Sequence, residues 1–332
     1  MTVEIRVQSV KPLRNTFAHI AARFGDKPAS RYQEGTYNLQ AETNYHYKPL
    51  WDPEGQIYDQ NRTAIKMADW YALKDPRQYY YGSYTIARAR QQEAADRQLE
   101  MAGQRGLLSD LPAADRERLV QLILPLRHYE WGGNTNMSQV AAYGWGTAIT
   151  QAASMAMMDR LGMAQHLSRI GLLLDGNSGE SLARAKAHWM DDAVWQPLRR
   201  ATENTFVIRD WFESLVAQAL IADGLVYPLM FDEFEQHFAH QRGHGLATAL
   251  DFPLRWQQET VRWVDSVIKT CAAESENNRL LIAGWAAKWL KAYAEALEPL
   301  ATLAMGDNEG HDALARVRAD LQARLAKLTV TT

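Results

Sequence analysis

The chain has 332 residues, 47% of them hydrophobic, with a formal net charge of -3 and one cysteine. That apolar content is enough for a real core, and the length admits two ordinary domains or one large helical one. No basic patch dominates, which argues against a nucleic-acid partner, and a lone Cys271 excludes an internal disulfide and a cysteine-based zinc finger, so a reducing cytoplasm is expected.

The opening residues, MTVEIRVQSVKPLRN, lack the apolar run of a secretory signal. Residues 1–60 keep no 3.6-residue period. They scatter Pro12, Pro28, Pro49, Pro53, Gly25, Gly35 and Gly55 among Tyr32, Tyr37, Tyr45, Tyr47, Trp51 and Tyr58. This reads as an extended arm, too rich in rings for a disordered tail, that lies on its own body or on another chain.

Residues 61–332 carry one helical signal after another. The segment 84–103 is strongly charged, with Glu93 and Arg97 at i, i+4. "AADRERLVQLILPLRHYEW" sets Leu119, Leu122 and Ile123 on one stripe. "VAAYGWGTAITQAASMAMM", residues 140–158, has no charge and nearly reaches membrane-span length. It is built from Ala, Gly, Thr, Ser and Gln, and so is expected to be a buried core helix rather than a membrane segment. Asn177 and Glu180 have capping-box spacing, and Asp251 with Pro253 looks like a helix start. "ESENNRLLIAGWAAKWLKAYAEAL" is a further periodic helix, and alternating β-branched runs are almost absent. The fold class is all-α.

"EFEQHFAHQRGH", residues 233–244, raises the question of a metal. On a helix Glu233, His237, His240 and His244 share one face, but His237 and His244 stand about 10 Å apart along the axis. One ion cannot take all three imidazoles. Bundles that bind two irons use two Glu-x-x-His segments and a Glu from each of two other helices. None of the nine histidines has an acidic residue three positions earlier. The near misses are Gln241 before His244, and Asp159-Arg160-Leu161-Gly162 with no imidazole. Phosphate loops and nucleophile elbows are also missing. The residues therefore nominate no catalytic, cofactor-binding or metal-binding position, and a stand-alone metal protein using the 233–244 stripe stays as a rival reading.

One segment carries a specific resemblance. "DWYALKDPRQYYYGSYTIARARQQEA", from Asp69, resembles the β subunits of bacterial multicomponent monooxygenases, the soluble di-iron phenol hydroxylases and toluene monooxygenases. "LRHYEWGGNTNMSQVAAYGWGTAITQAASMAMMDRLGMAQH" and the aromatic arm are similar to the same subunits, so the likeness spans essentially the whole chain. It is nearest to the phenol hydroxylase β subunit, and "DPRQYYYGSY", residues 75–84, is its most specific part.

The resemblance implies a ferritin-like helical bundle over 61–332 and a non-catalytic subunit in an (αβγ)2 hydroxylase. The di-iron centre then belongs to the partner α subunit, and NADH, FAD and an Fe–S cluster to a partner reductase, with a small regulatory protein as a further transient partner. The assembled reaction is phenol to catechol with O2; a toluene- or alkene-type β subunit is the alternative. Arg77, Tyr79, Tyr80, Tyr81 and Tyr84, with Trp51 of the arm, are the candidate partner-facing residues, because Tyr and Arg are enriched in interface cores. That the rings pack the chain's own core stays equally open.

Overall fold

A computed structural model describes residues 17–25, 27–44, 50, 52–53 and 55–330. Among these residues every regular element is a helix, arranged in the ferritin-like fold. Two short helices, α1 (Ala18–Phe24) and α2 (Arg31–Thr36), lead the chain. The long ones are α3 (Tyr81–Gln104), α4 (Ala113–Leu122), α5 (Leu126–Tyr143), α6 (Thr147–Leu174), α7 (Glu180–Asp191) and α8 (Gln196–Thr205). They continue with α9 (Trp211–Arg242), α10 (Gly245–Glu274), α11 (Glu276–Met305) and α12 (Asp307–Lys327).

The centre is two antiparallel hairpins, α5–α6 and α9–α10, with α5 against the start of α9 and α6 against α10. The helix α3 lies along α10 and α6, α11 covers α9 and α10, and α12 packs on α11. Leu119, Leu122 and Ile123 are buried on the expected stripe. Pro125 then separates α4 from α5, as a residue with no amide donor suits a helix start.

The uncharged stretch 140–158 is not one core helix. It turns at Gly144–Trp145–Gly146, where Gly146 has φ +89°, a conformation that a Cβ disfavours. The run stays uncharged across two helices: Val140 is buried near the end of α5, and Ala148, Ile149, Ala152 and Ala153 are buried in α6. The most apolar helix is α9. Among the described residues it alone is long and apolar enough to cross a membrane, and its most apolar window is 94% buried inside the protein.

Two expected helix starts also move. Asn177 sits in the left-handed region at φ +68°, and Asp175 does the capping instead, accepting from the Ser181 amide at 2.9 Å and the Ser181 hydroxyl at 2.7 Å. The helix α10 begins at Gly245, so Asp251 and Pro253 lie in its interior. Proline there removes one donor, and a side chain of α6 takes the freed carbonyl.

The arm is not extended throughout. A capping box, with Ser30 Oγ accepting from the Gln33 amide at 3.1 Å and Gln33 Oε1 from the Ser30 amide at 2.9 Å, starts α2. Residues 17–44 lie on the chain's own body, where Ile20, Tyr32 and Tyr37 bury against Tyr71 and Tyr80. Tyr45, Tyr47 and Trp51 lie outside the described residues.

Candidate functional site

Four helices bring polar side chains to the middle of the bundle. Glu130 comes from α5, Arg160 from α6, Asp223 from α9 and Trp256 from α10, and all are buried. Arg160 is 1% exposed; its Nη1 donates to Glu130 Oε2 at 3.0 Å and its Nη2 to Asp223 Oδ2. The outer lone pairs of both carboxylates are also taken. Tyr227 donates its hydroxyl to Glu130 Oε1 at 2.7 Å, and Tyr129 donates to Asp223 Oδ1 at 2.6 Å. Gln218 Nε2 donates to the same Asp223 oxygen at 2.9 Å. The Trp256 ring lies 4.7 Å from the guanidinium carbon.

Geometry and charge fit each other here. A Cβ on Gly133 would come within 3.0 Å of the Arg160 guanidinium, so α5 needs a glycine where α6 delivers its cation. Burial opposes the Arg160 charge, but Asp223 and Glu130 outweigh it and hold the group protonated well above its ordinary value. Burial pushes the Glu130 carboxyl up against the pull of Arg160. It also lifts the Tyr129 and Tyr227 phenols far above their usual value, aided by Asp223 and Glu130 respectively, so both remain donors.

This centre does not fit a di-iron group. Ferritin-like iron sites need several carboxylates and two imidazoles facing inward. Here the two carboxylates already share one guanidinium, which has no lone pair to offer a metal. Neither histidine of α5 and α6 bonds these carboxylates: His128 stacks on Trp189 at 5.9 Å, and His166 Nε2 is 2.7 Å from the Ala249 carbonyl oxygen.

The histidine stripe does not converge either. The helix α9 stops at Arg242, Gly243 turns at φ +77°, and His244 is exposed beyond it, 4.0 Å from Glu235. His237 Nδ1 pairs with Glu309 Oε2 at 2.7 Å, Glu233 pairs with Arg316 at 2.6 Å, and His240 faces solvent.

A second cluster joins the segment 75–84 to the bundle. Asp159 Oδ1 accepts from Tyr84 at 2.8 Å and Arg88 Nε at 2.7 Å; its Oδ2 accepts from Arg88 Nη2 at 2.7 Å and Trp256 Nε1 at 2.8 Å. Glu259 receives Arg88 at 3.0 Å and Arg77 at 3.4 Å, and Arg77 also holds Asp75 at 3.0 Å. Trp256 thus touches both clusters, Asp159 through its N–H and Arg160 through its ring.

This placement sets two of the candidate partner-facing residues among the chain's own contacts. Tyr84 is buried and Arg77 is engaged within the chain, because each bonds a carboxylate inside the fold, Tyr84 to Asp159 and Arg77 to Asp75. Tyr79 lies 5.0 Å from the Arg77 guanidinium and 5.5 Å from that of Arg88, and Tyr80 packs on the arm's cluster. Tyr81 is 77% exposed and available to a partner. Trp51 lies outside the described residues. Sequence reading missed Glu130, Asp159, Arg160, Asp223 and Trp256. One signal was present: Asp159-Arg160 directly follows nineteen uncharged residues, and charges on a buried helix must find partners.

The model of the methane/phenol/alkene hydroxylase family matches residues 51–275. The chain is 48% identical over 328 residues to the oxygenase component DmpL of phenol 2-monooxygenase from Pseudomonas sp. strain CF600, covering 99% of this chain and 98% of that one. It is 23% identical over 312 residues, 90% of this chain and 93% of the other, to the hydroxylase component subunit beta of the toluene-4-monooxygenase system of Ectopseudomonas mendocina. The crystal structure of phenol hydroxylase from Pseudomonas sp. OX1 superposes with a TM-score of 0.93 at 43% identity, over 99% of both chains.

Proposed function

The chain belongs to the methane/phenol/alkene hydroxylase family, and within it we propose that the chain is the non-catalytic β-type subunit of a phenol-hydroxylating monooxygenase. Its homologues are oxygenase components of phenol 2-monooxygenase, and the 48% identity to one of them, against 23% to the toluene-4-monooxygenase β subunit, favours phenol as the substrate class. The chain scaffolds an α subunit that holds the di-iron centre, in an (αβγ)2 assembly in the cytoplasm. A separate reductase delivers electrons from NADH through FAD and an Fe–S cluster, and a small protein regulates the cycle.

The observation that carries this reading is the Arg160 guanidinium between Glu130 and Asp223, which fills the bundle centre with a cation of the chain's own. No step of oxygen chemistry is therefore assigned to these residues. Their role is to keep the bundle rigid while its surface engages partners. Exposed Tyr81, Trp131 (61% exposed) and Val207 (79% exposed) are large apolar groups left over for such contacts.

Elemental analysis of the full-length chain, expressed alone in iron-rich medium and also with its hydroxylase partners, tests the proposal. The expected result is no stoichiometric iron in the chain alone and iron in the assembled complex. About two irons per isolated chain would overturn the reading.

A further inference from the structure

We propose that Arg160 is a built-in counter-cation for two buried carboxylates, so that removing it turns the centre into a site for a hard divalent cation. The inference rests on the reading of the chain as iron-free.

The carboxylates of Glu130 and Asp223 reach the guanidinium from two different helices, α5 and α9. Two buried anions around one monovalent cation leave an excess of negative charge, which a divalent ion would balance. The space is built for a cation, since Gly133 omits the Cβ that would collide with the guanidinium. Arg160 Nε is buried without a hydrogen-bond partner, so the group is held for its charge more than for a full set of bonds.

The surrounding atoms name the class of ion. Tyr129, Tyr227 and Gln218 already bond these carboxylates. Asn136, two turns beyond Tyr129 on α5, donates to Gln218 Oε1 at 2.9 Å while its own Oδ1 is buried and unpartnered. No imidazole or thiolate shares these contacts. An all-oxygen set suits Mn(II), Mg(II) or Ca(II) and disfavours zinc.

The test compares full-length wild type, Arg160→Ala and Arg160→Lys, each exchanged into Mn(II), desalted, and read by elemental analysis, Mn(II) electron paramagnetic resonance and thermal melting. Arg160→Ala is expected to retain about one Mn(II) per chain and to melt higher with Mn(II) than without it. Wild type and Arg160→Lys, which keep a cation in place, should do neither. Adding Glu130→Gln to Arg160→Ala should abolish retention and so locate the ion. If Arg160→Ala folds and holds no more Mn(II) than wild type, the proposal is overturned. If it folds poorly and Mn(II) does not restore its helical spectrum, the proposal is equally overturned. Metal in the wild-type chain would instead sink the proposed function, so the two failures are distinguishable.

Discussion

The Nε2 of His166 stands 2.7 Å from the carbonyl oxygen of Ala249, the acceptor that Pro253 leaves without its amide in the interior of α10. A carbonyl can only accept, so Nε2 carries the proton. Burial lowers the imidazole pKa and keeps it neutral, with Nδ1 buried and unpartnered. The ring also contacts Phe252 at 5.1 Å. A proline that would end an exposed helix is tolerated here because α6 replaces the missing donor.

Replacing His166 by Leu should therefore cost about 1–3 kcal/mol, the penalty of a buried carbonyl left unpaired. Pro253→Ala restores an amide at that carbonyl. In the double variant His166→Leu/Pro253→Ala, most of the loss should disappear. Urea denaturation of the four proteins gives the coupling directly, and strictly additive effects would show that the two residues do not share the Ala249 acceptor.

A pH effect follows from His128. Burial first, then Arg127 and Lys186, push its pKa down from 6.5 to about 4. The unfolded chain binds a proton that the folded chain refuses, so this contribution is full above about pH 6.5 and is lost as pH falls toward 4. The ring stacks on Trp189, which Phe can imitate without titrating. His128→Phe should flatten the stability profile between pH 6.5 and 4 relative to wild type. Parallel profiles would assign the acid sensitivity to other groups.

Local pattern carried much of the fold and little of the centre. Leu119, Leu122 and Ile123 declared their stripe because a helix repeats its face within a few residues. Gly146 was hidden inside an uncharged run, where composition does not distinguish one buried helix from two joined by a turn. Arg160 could not reveal its role, since Glu130 is 30 residues before it and Asp223 is 63 after it. The Glu-x-x-His spacing, by contrast, is a local property that can be read for each histidine directly. Tyr84 and Arg77 could not be sorted from Tyr81 by sequence, because the carboxylates that claim them, Asp159 and Glu259, come from other helices.

Asp159 accepts four hydrogen bonds, so its loss should far exceed that of any single donor. Asp159→Ala leaves the Arg88 guanidinium largely buried beside only Glu259 and should destabilise by about 3–5 kcal/mol. Tyr84→Phe removes one donor and should cost about 1 kcal/mol. Chemical denaturation orders the two, and equal effects would deny Asp159 its role as the clamp between α3 and the bundle.

The arm holds the start of α6 as well as lying on the body of the chain. The turn between α5 and α6 leaves the first amides of α6 open, and Gly146 has no side chain with which to cap them. The arm supplies the caps: Gln40 Oε1 accepts from the Gly146 amide at 2.6 Å, and the Leu39 carbonyl accepts from the Thr147 amide at 3.2 Å. Arg23 adds a pair with Asp69 at 2.7 Å, and the Tyr32 hydroxyl accepts from the Asp75 amide at 2.9 Å. Deleting residues 2–44 should thus fray the start of α6 and uncover Tyr71 and Tyr80, while the core around Trp211, Trp256 and Trp263 keeps its helical spectrum. Hydrogen exchange should lose protection at residues 146–150 first, and recovery of the hydroxylase complex by gel filtration should fall. Gln40→Ala isolates the cap and should cost about 0.5–2 kcal/mol, the usual loss on removing a helix cap. Unchanged protection at Gly146 and Thr147 in the deletion would show that the arm lies on α6 without holding it.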